Sequence, residues 1–263
     1  MAASLIGGLI ADHLTPSAVT VADPRAEVLQ RLRDRFGVNT TADNTAAVAG
    51  ADVVVLAVKP QVLHEVCAEL ADALQAGPAL VVSVAAGVRC EDIARWLGGD
   101  VAVVRAMPNT PALVQSGATA LYANAAVSAH QRDLAESILR AAGLTLWLDD
   151  EAQMDAVTAL SGSGPAYFFR IMESMEAAGV ALGLSAEAAH LLTLQTALGA
   201  AKMALESDEP VAELRRRVTS PGGTTEQGLR VLDEHDVDTL FTEVLKAAHQ
   251  RSRELAKLLG EAR

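Results

Sequence analysis

Aromatic side chains are scarce in this chain: of 263 residues only four are Phe, two are Tyr and two are Trp. Proteins that hold single-stranded nucleic acid stack bases on such rings, so a base-stacking platform is not expected. Positive charge is also scarce. The chain has 21 Lys and Arg against 33 Asp and Glu, which gives a net charge of −12. A surface of this sign repels phosphate backbones. We therefore expect no nucleic-acid partner.

Residues that hold metals or form redox centres are few and badly spaced for that purpose. The two cysteines, Cys67 and Cys90, show no metal or redox spacing, and the six histidines form no HxxxH or HExxH pair. The longest apolar stretch, residues 79–88, is too short to cross a bilayer. The sequence also shows no basic n-region with a cleavage site, as a secretory signal peptide would have. These features predict a cytoplasmic protein with reduced core thiols, no metal and no membrane partner.

Short β-rich runs alternate with helical stretches in the first part of the chain. The predicted strands are VTVAD (19–23), DVVVLAV (52–58), LVVSVAA (80–86) and VAVVRAM (101–107). Continuous apolar runs of this kind are typical of strands buried on both faces of a parallel sheet. We therefore predict an α/β fold, with a doubly wound, Rossmann-like domain over residues 1–150. Ligands of such sheets lie beyond the carboxyl ends of the strands.

The β pattern ends near Glu151, and residues 151–263 predict an all-helical domain. Helices are predicted over residues 165–184 and 185–207 and from Thr224 to the end, with Ser185 as an N-cap. The helix over residues 185–207 is apolar almost all round. Such a helix is buried, and another subunit is a suitable partner. We expect a dimer or a higher homo-oligomer.

The run SPGGTTEQGL, from Ser220 to Leu229, places a proline, two glycines and two threonines inside this helical region. One interpretation is a helix start, because Pro and Gly interrupt helices and Thr caps them. The other is an anion site. Gly222 and Gly223 leave backbone N–H groups open, and the following helix directs its positive dipole end towards the same place. A small carboxylate would fit there.

Five segments together resemble the pyrroline-5-carboxylate reductase family. They are AVKP (57–60), VSVAAGV (82–88), RAMPNTPALVQSGATALYAN (105–124), DAVTALSGSGPAYFF (155–169) and RRRVTSPGGTTEQGL (215–229). The resemblance covers the whole chain in the same order. It implies reduction of 1-pyrroline-5-carboxylate to L-proline, the last step of proline biosynthesis, by hydride transfer from a reduced nicotinamide. It also implies NADP as the cofactor, with NAD as an alternative.

The resemblance assigns substrate-binding residues. The ring carboxylate would take backbone N–H bonds from Gly223, Thr224 and Thr225, together with the Ser220 hydroxyl. Thr225 matches the family threonine whose hydroxyl faces the ring nitrogen, which makes it the candidate catalytic residue. Glu151 matches a family position near the substrate. A solvated acid at a helix start explains Glu151 equally well.

Cofactor residues follow from strand ends and from the resemblance. Ala57, Val58, Lys59 and Pro60 stand at the carboxyl end of a strand, where a dinucleotide passes. Lys59 is also compatible with a solvated lysine at a helix start. Asn44 matches the family asparagine beside the adenosine, and without the family it would be interpreted as an N-cap.

Two further pairs complete the predicted cofactor site. Ala85 and Ala86 allow close approach of the nicotinamide, although small residues after a strand also serve packing. Asp23 ends a strand, where an acid favours the ribose diol of NAD. Arg25 follows and would hold the extra phosphate of NADP.

The beginning of the sequence departs from the family. MAASLIGGLIADHL predicts a helix, whereas the family begins with a strand and a glycine turn of the GxGNMA kind. Only Met1 and the two alanines after it match the end of that turn, which places Met1 at the cofactor. We expect the natural protein to begin about ten residues earlier, with the strand and turn of a dinucleotide-binding unit. The chain without them is expected to be a poor enzyme.

Two other functions are compatible with parts of this pattern. A 3-hydroxyacid dehydrogenase has a similar layout but requires a lysine on its interdomain helix. Residues 166–184 contain none, since the four lysines are Lys59, Lys202, Lys246 and Lys257. A catalytically silent scaffold would explain the missing glycine turn. An in-frame GxGN segment upstream of Met1 would distinguish it from the enzyme.

Overall fold

The computed structural model describes residues 1–260, and they form two compact units. The first comprises residues 1–163 and 247–260, and the second comprises residues 164–246. The sequence instead predicted a division at residues 150 and 151, with the second domain reaching residue 263. Residues 261–263 of that range lie outside the described residues. The structure differs because the chain after Ala247 packs on the first unit.

The first unit holds seven strands in two sheets. Their bounds are β1 Thr20–Ala22, β2 Asn39–Thr41, β3 Val53–Leu56, β4 Leu80–Ser83, β5 Val103–Met107, β6 Gly117–Ala123 and β7 Gly143–Trp147. Strands β1 and β2 form a parallel pair, and the other five form a sheet in the order β3-β4-β5-β6-β7. The four predicted strands are confirmed within these sheets.

The helices of the first unit alternate with the strands. They are α1 Ala2–Ala11, α2 Ala26–Phe36, α3 Asn44–Val48, α4 Pro60–Gln75, α5 Cys90–Trp96, α6 Ala129–Arg140 and α7 Gln153–Val157. The predicted first helix is therefore present. Gly37 ends α2 in the left-handed conformation, with φ 70°, which glycine adopts readily.

The core of the first unit lies on the two faces of the five-stranded sheet. One cluster packs α4 and α5 against the sheet, and another includes Leu5 of α1 and Leu139 of α6. Helices on both faces define the doubly wound, Rossmann-like architecture that the sequence predicted. One pair departs from a wholly parallel sheet, because β6 runs antiparallel to β5.

The second unit is entirely helical. It contains α8 Gly164–Ala181, α9 Ala186–Glu206, α10 Val211–Arg217 and α11 Thr224–Glu234, together with the first part of α12 Val237–Gly260. Ser185 caps α9 as predicted, since its side chain accepts a hydrogen bond from the Ala188 N–H. Helices α8 and α9 pack on each other, and a Cβ on Gly179 would lie 3.3 Å from the Ala189 Cβ.

The prediction of one helix from Thr224 to the end is wrong. The chain turns between α11 and α12, where Asp236 adopts a positive φ of 48°. Asp236 also accepts a hydrogen bond from the Thr239 N–H at the start of α12. A non-glycine residue tolerates this conformation best when it is Asn or Asp. Periodicity alone does not reveal such a break.

Helix α9 leaves many apolar side chains exposed. Leu191, Leu198 and Leu205 are 59%, 61% and 85% accessible. The prediction that this helix is buried is therefore not met within one chain. It requires a partner, as the sequence analysis anticipated. Among residues 1–260, no helix is both long enough and apolar enough to span a bilayer.

Candidate active site

The predicted site for the adenosine end of a dinucleotide is built on the carboxyl ends of β1 and β2. Asp23 follows β1, and its N–H donates to the Thr41 carbonyl of β2. The guanidinium of Arg25 donates to both carboxylate oxygens of Asp23, each at 3.0 Å. This bond to Arg25 holds the pKa of Asp23 below its usual range. Asp23 is therefore paired, and its charge no longer dominates the surface that a phosphate would meet.

Asn44 stands at the first position of α3, but it does not cap that helix. The cap is Asp43, whose side chain accepts from the Ala46 N–H at 3.0 Å. The alternative interpretation of Asn44 as an N-cap is therefore wrong. The amide of Asn44 instead donates to Glu69 of α4 at 2.9 Å. The predicted position of Asn44 beside the adenosine of the cofactor stays a prediction.

The segments 57–60 and 84–86 lie side by side, because β3 and β4 are parallel and Leu56 is in register with Ser83. Lys59 is the N-cap of α4 without a side-chain cap bond, and Pro60 begins the helix. Ala85 is buried, and its N–H donates to the Ser83 hydroxyl at 3.3 Å. Small side chains at two adjacent strand ends leave space for a ligand to approach the backbone. This observation fits a dinucleotide.

Met1 is the N-cap of α1, and its carbonyl accepts from the N–H groups of Ser4 and Leu5. The N–H groups of Ala2 and Ala3, in the first turn, have no acceptor within the helix. Such groups bind phosphate oxygens readily. The position of Met1 is therefore compatible with its predicted contact to the cofactor. That contact stays a prediction.

Glu151 takes a position that sequence reasoning did not anticipate. Its carboxylate accepts from the Cys90 N–H at 2.8 Å and from the Arg105 guanidinium at 3.0 Å. Arg105 of β5 is 4% exposed, and one of its terminal nitrogens is buried without a hydrogen-bond partner. The interpretation of Glu151 as a merely solvated acid is therefore wrong. By accepting from Cys90, Glu151 fixes the start of α5. Its contact with the substrate stays a prediction.

Asn109 connects the segment after β5 to the SGSGP motif. Its amide nitrogen donates to the Ser161 carbonyl and hydroxyl at 3.3 and 3.2 Å, and its amide oxygen accepts from the Ala118 N–H at 3.0 Å. Residues 158–162 form one π-helical turn. Single π turns within helices occur frequently at functional sites. Asn109 lies in the recognised RAMPNTP segment, but the sequence assigned it no role.

The SPGGTT turn ends at the N-terminus of α11, with Gly223 as the N-cap residue. A Cβ on Gly223 would lie 2.9 Å from the Ser220 carbonyl oxygen, so the turn requires glycine at this position. The Gly223 N–H donates to that same carbonyl at 3.0 Å. The predicted bond from this N–H to a substrate carboxylate would therefore compete with an existing one.

The remaining donors of the turn are better placed. The N–H groups of Thr224, Thr225 and Glu226 belong to the first turn of α11 and have no acceptor within the helix. The side chain of Glu226 turns back and accepts from the Gly222 N–H at 2.8 Å. Gly222 itself has a φ of 71°, which favours glycine. The turn is thus fixed from within, while the N–H groups of the two threonines lie in the first turn of α11.

Sequence reasoning missed Arg105, Asn109 and the pairing of Asp155 with Ser252, whose hydroxyl donates to that carboxylate at 2.6 Å. Asp155 and Ser252 are buried or partly buried. A charged residue inside an otherwise apolar strand, as Arg105 is within VAVVRAM, was the available signal. Its partner lay too far along the chain to be identified.

Doubly wound architecture, small residues at adjacent strand ends and a helical unit with a glycine-rich turn before a helix N-terminus are typical of a dinucleotide-dependent oxidoreductase. Two family models agree with this class. One, described as "NADP oxidoreductase coenzyme F420-dependent", matches residues 1–87, and another, described as "Pyrroline-5-carboxylate reductase dimerisation", matches residues 151–255.

Individual relatives identify the family. The chain is 54% identical to a pyrroline-5-carboxylate reductase of Pseudomonas aeruginosa, over 99% of this chain and 95% of that protein. It is similar to the solved pyrroline-5-carboxylate reductase of Coxiella burnetii, with 49% identity, a TM-score of 0.94 and coverage of 97% and 94%. The Plasmodium falciparum enzyme, solved with NADP bound, has 29% identity, a TM-score of 0.85 and the same coverage. The chain belongs to the pyrroline-5-carboxylate reductase family.

Proposed function

We propose that this chain reduces 1-pyrroline-5-carboxylate to L-proline in the cytoplasm, with NADPH as reductant and NADH as an alternative. The observation that carries the proposal is the SPGGTT turn, which places the N–H groups of Thr224 and Thr225 in the first turn of α11, where they have no acceptor within the helix. Membership of the family favours this reaction over a silent scaffold. The hydroxyacid dehydrogenase alternative is disfavoured further because α8 contains no lysine.

The substrate carboxylate would bind at the N-terminus of α11. The N–H groups of Thr224 and Thr225 and the hydroxyl of Ser220 would donate to it. Favourable interaction of an anion with a helix N-terminus is worth about 0.3–1 kcal/mol at exposed sites and up to about 2 kcal/mol in partly buried ones. Gly223 contributes through the shape of the turn, since its own N–H already has an acceptor.

The Thr225 hydroxyl would face the ring nitrogen. A reduced nicotinamide supplies a hydride to the imine carbon, and the nitrogen then keeps or takes a proton to give the amine of proline. The Thr225 hydroxyl would donate a hydrogen bond to this nitrogen or relay a solvent proton towards it, so that one hydride and one proton are consumed for each proline formed. Positioning supplies much of the acceleration, because a protonated imine is already electrophilic.

The cofactor would be held by the first unit. Ala57, Val58, Lys59 and Pro60 would contact the dinucleotide as it passes the end of β3, and Asn44 would lie beside the adenosine. Arg25, which is 64% exposed on its side chain, can turn towards a 2′-phosphate. Ala85 and Ala86 would leave space for the nicotinamide.

The helical part of the chain, residues 151–263 in the sequence-based division, would bind the substrate and form a dimer or a larger assembly. The exposed leucines of α9 support this role, because monomers rarely leave so many apolar side chains in water. Light scattering at micromolar concentration is expected to give at least twice the monomer mass. A clean monomer would contradict the assembly.

Turnover is tested by adding 1-pyrroline-5-carboxylate and NADPH to the purified chain. Proline formation by mass spectrometry, matched to the loss of NADPH absorbance, is the expected result. Tight NADPH binding without proline would instead support the silent scaffold. Turnover of a 3-hydroxyacid would support the dehydrogenase.

A further inference from the structure

The end of α12 packs on the loop between β4 and α5, which is the loop that carries Ala85 and Ala86. Although α12 begins in the second unit, its residues from Ala247 onward belong to the first. A Cβ on Gly87 of the loop would lie 3.4 Å from Leu259 Cδ1 and 3.7 Å from the Ala256 nitrogen. Gly87 has a φ of 77°, so the loop bends sharply at the point of contact.

Two polar contacts fix the end of α12 on either side of Leu259. The Ser252 hydroxyl, on a 4% exposed residue, donates to Asp155 of α7 at 2.6 Å. Arg95 of α5 donates to the Gly260 carbonyl at 3.0 Å and to Asp92 at 2.6 Å. Residues 252–260 are thus held on three elements of the first unit.

The loop has a second support at its other end. The Cys90 N–H donates to Glu151, so the start of α5 is fixed by a residue that is itself paired with Arg105. Leu259 also packs against the core cluster that contains Ala85 and Val88. These contacts, together with the burial of Ala85, Val88 and Cys90, fix the path of the short segment from Ala85 to Cys90.

We propose that residues 252–260 act as a clamp on this loop and that Leu259 is a positioning residue for hydride transfer. The inference rests on the proposed function, in which Ala85 and Ala86 face the nicotinamide. Leu259 touches no reacting atom. It would act through Gly87, by fixing the position of the loop whose Ala85 and Ala86 would leave space for the nicotinamide.

The test compares Leu259→Ala with Leu258→Ala in the full chain. Leu258 is the adjacent residue, is 60% exposed and serves as the matched control. Leu259→Ala is expected to slow hydride transfer between about tenfold and about a hundredfold, as small misplacements in an active site do. The KM for 1-pyrroline-5-carboxylate should change little, because its carboxylate is held elsewhere. Leu258→Ala and the conservative Leu259→Met should resemble the parent protein.

Hydrogen exchange provides a readout that does not depend on turnover. Amides of residues 85–90 should exchange faster in Leu259→Ala, whereas those of β5 should not, because only the loop loses its support. If Leu259→Ala fails to fold, Leu259→Val gives a smaller truncation with the same expected direction. Hydride-transfer rates per folded molecule equal to those of the Leu258→Ala control would overturn the clamp.

The proposed function and the clamp fail differently. If the parent chain does not reduce the imine, the proposed function is wrong, while the exchange comparison still shows whether α12 holds the loop. If the parent is active and exchange at residues 85–90 is the same in both leucine variants, the clamp is wrong and the reductase stands.

Discussion

The Arg105 guanidinium of β5 and the Glu151 carboxylate lie 3.0 Å apart, and Arg105 is almost completely buried. The pair joins the centre of the five-stranded sheet to the segment that precedes α7. Because Glu151 also accepts from Cys90, one carboxylate orders three separate parts of the chain. Glu151, which the resemblance associates with the substrate, therefore also has a structural role.

We expect Glu151→Ala to destabilise the protein strongly. Removing one partner leaves the Arg105 charge buried without compensation, which costs about 3–5 kcal/mol in buried pairs. We expect about 3 kcal/mol here, the lower end, because the Glu151 side chain is 20% exposed. The measurement is urea unfolding. Glu91→Ala breaks the exposed Arg89–Glu91 pair and should change the unfolding free energy by no more than about 0.5 kcal/mol. If the two substitutions lowered the free energy of unfolding equally, the buried pair would contribute no more to stability than the exposed pair.

Thr225→Ala should impair turnover without unfolding the protein. A hydrogen bond to a charged ring nitrogen is worth about 1.5–3 kcal/mol, which corresponds to a loss of roughly 10- to 100-fold in kcat/KM. Thr225→Ser keeps the hydroxyl and should recover most of the activity. Thr219→Ala is the control, since that hydroxyl donates to the Arg215 carbonyl within the preceding helix. If a folded Thr225→Ala variant has unchanged kinetics, the Thr225 hydroxyl has no role in turnover.

Ser220→Ala should mainly raise the KM for 1-pyrroline-5-carboxylate. Its hydroxyl would bind the carboxylate equally in the ground state and the transition state, so kcat should be little affected. Steady-state kinetics over a range of substrate concentrations distinguish the two parameters. A fall in kcat at constant KM would place Ser220 at the reacting nitrogen instead.

Arg25→Gln should reduce the preference for NADPH over NADH. The substitution removes a cation that would hold the 2′-phosphate and frees Asp23 to repel phosphate and to bind a ribose diol. Losing one hydrogen bond to a charged group predicts a change of roughly tenfold or more in the ratio of kcat/KM values. Arg31→Gln is the matched control, because Arg31 is exposed on α2 and donates to a carbonyl of its own helix. A ratio that stays constant in Arg25→Gln would assign the phosphate to other residues.

Both thiols should be unreactive in the folded protein. Burial raises the pKa of Cys67 and of Cys90 to about 12, and for Cys90 the charge of Glu151 adds to the effect. An unfolded thiol has a pKa of about 8.5. Between these values the unfolded state binds fewer protons, so stability should fall as the pH rises above about 8.5.

A thiol reagent at pH 8 is expected to modify neither cysteine until the protein unfolds, and then both. Cys67→Ala should leave one reactive thiol after unfolding and should show a weaker loss of stability at high pH. Rapid labelling of the native protein would contradict the burial of these residues.

Local pattern was sufficient for much of the fold. The apolar runs around Val53, Val81 and Val103 predicted three strands of the sheet, because strands buried on both faces contain few polar residues. Gly37 and Ser185 marked helix ends through conformational and capping preferences that act within one turn. Strands β2, β6 and β7 were missed. They are short, rich in small or polar residues, or exposed on one face, and only pairing with a neighbouring strand defines them.

The sequence by itself determined the class of protein through five segments that resemble one family, and it predicted most of the candidate site, because strand ends and the SPGGTT turn are local features. Only the tertiary structure decided the partners of individual side chains. Asn44 pairs with Glu69, Glu151 with Arg105 and Cys90, and Arg95 with Gly260, across separations of 25 to 165 residues. No local preference encodes such pairs, since a carboxylate or an amide accepts many partners equally well and chain folding selects among them. The return of α12 to the first unit has the same origin, because burial of Ala256 and Ser252 is a property of the packed core.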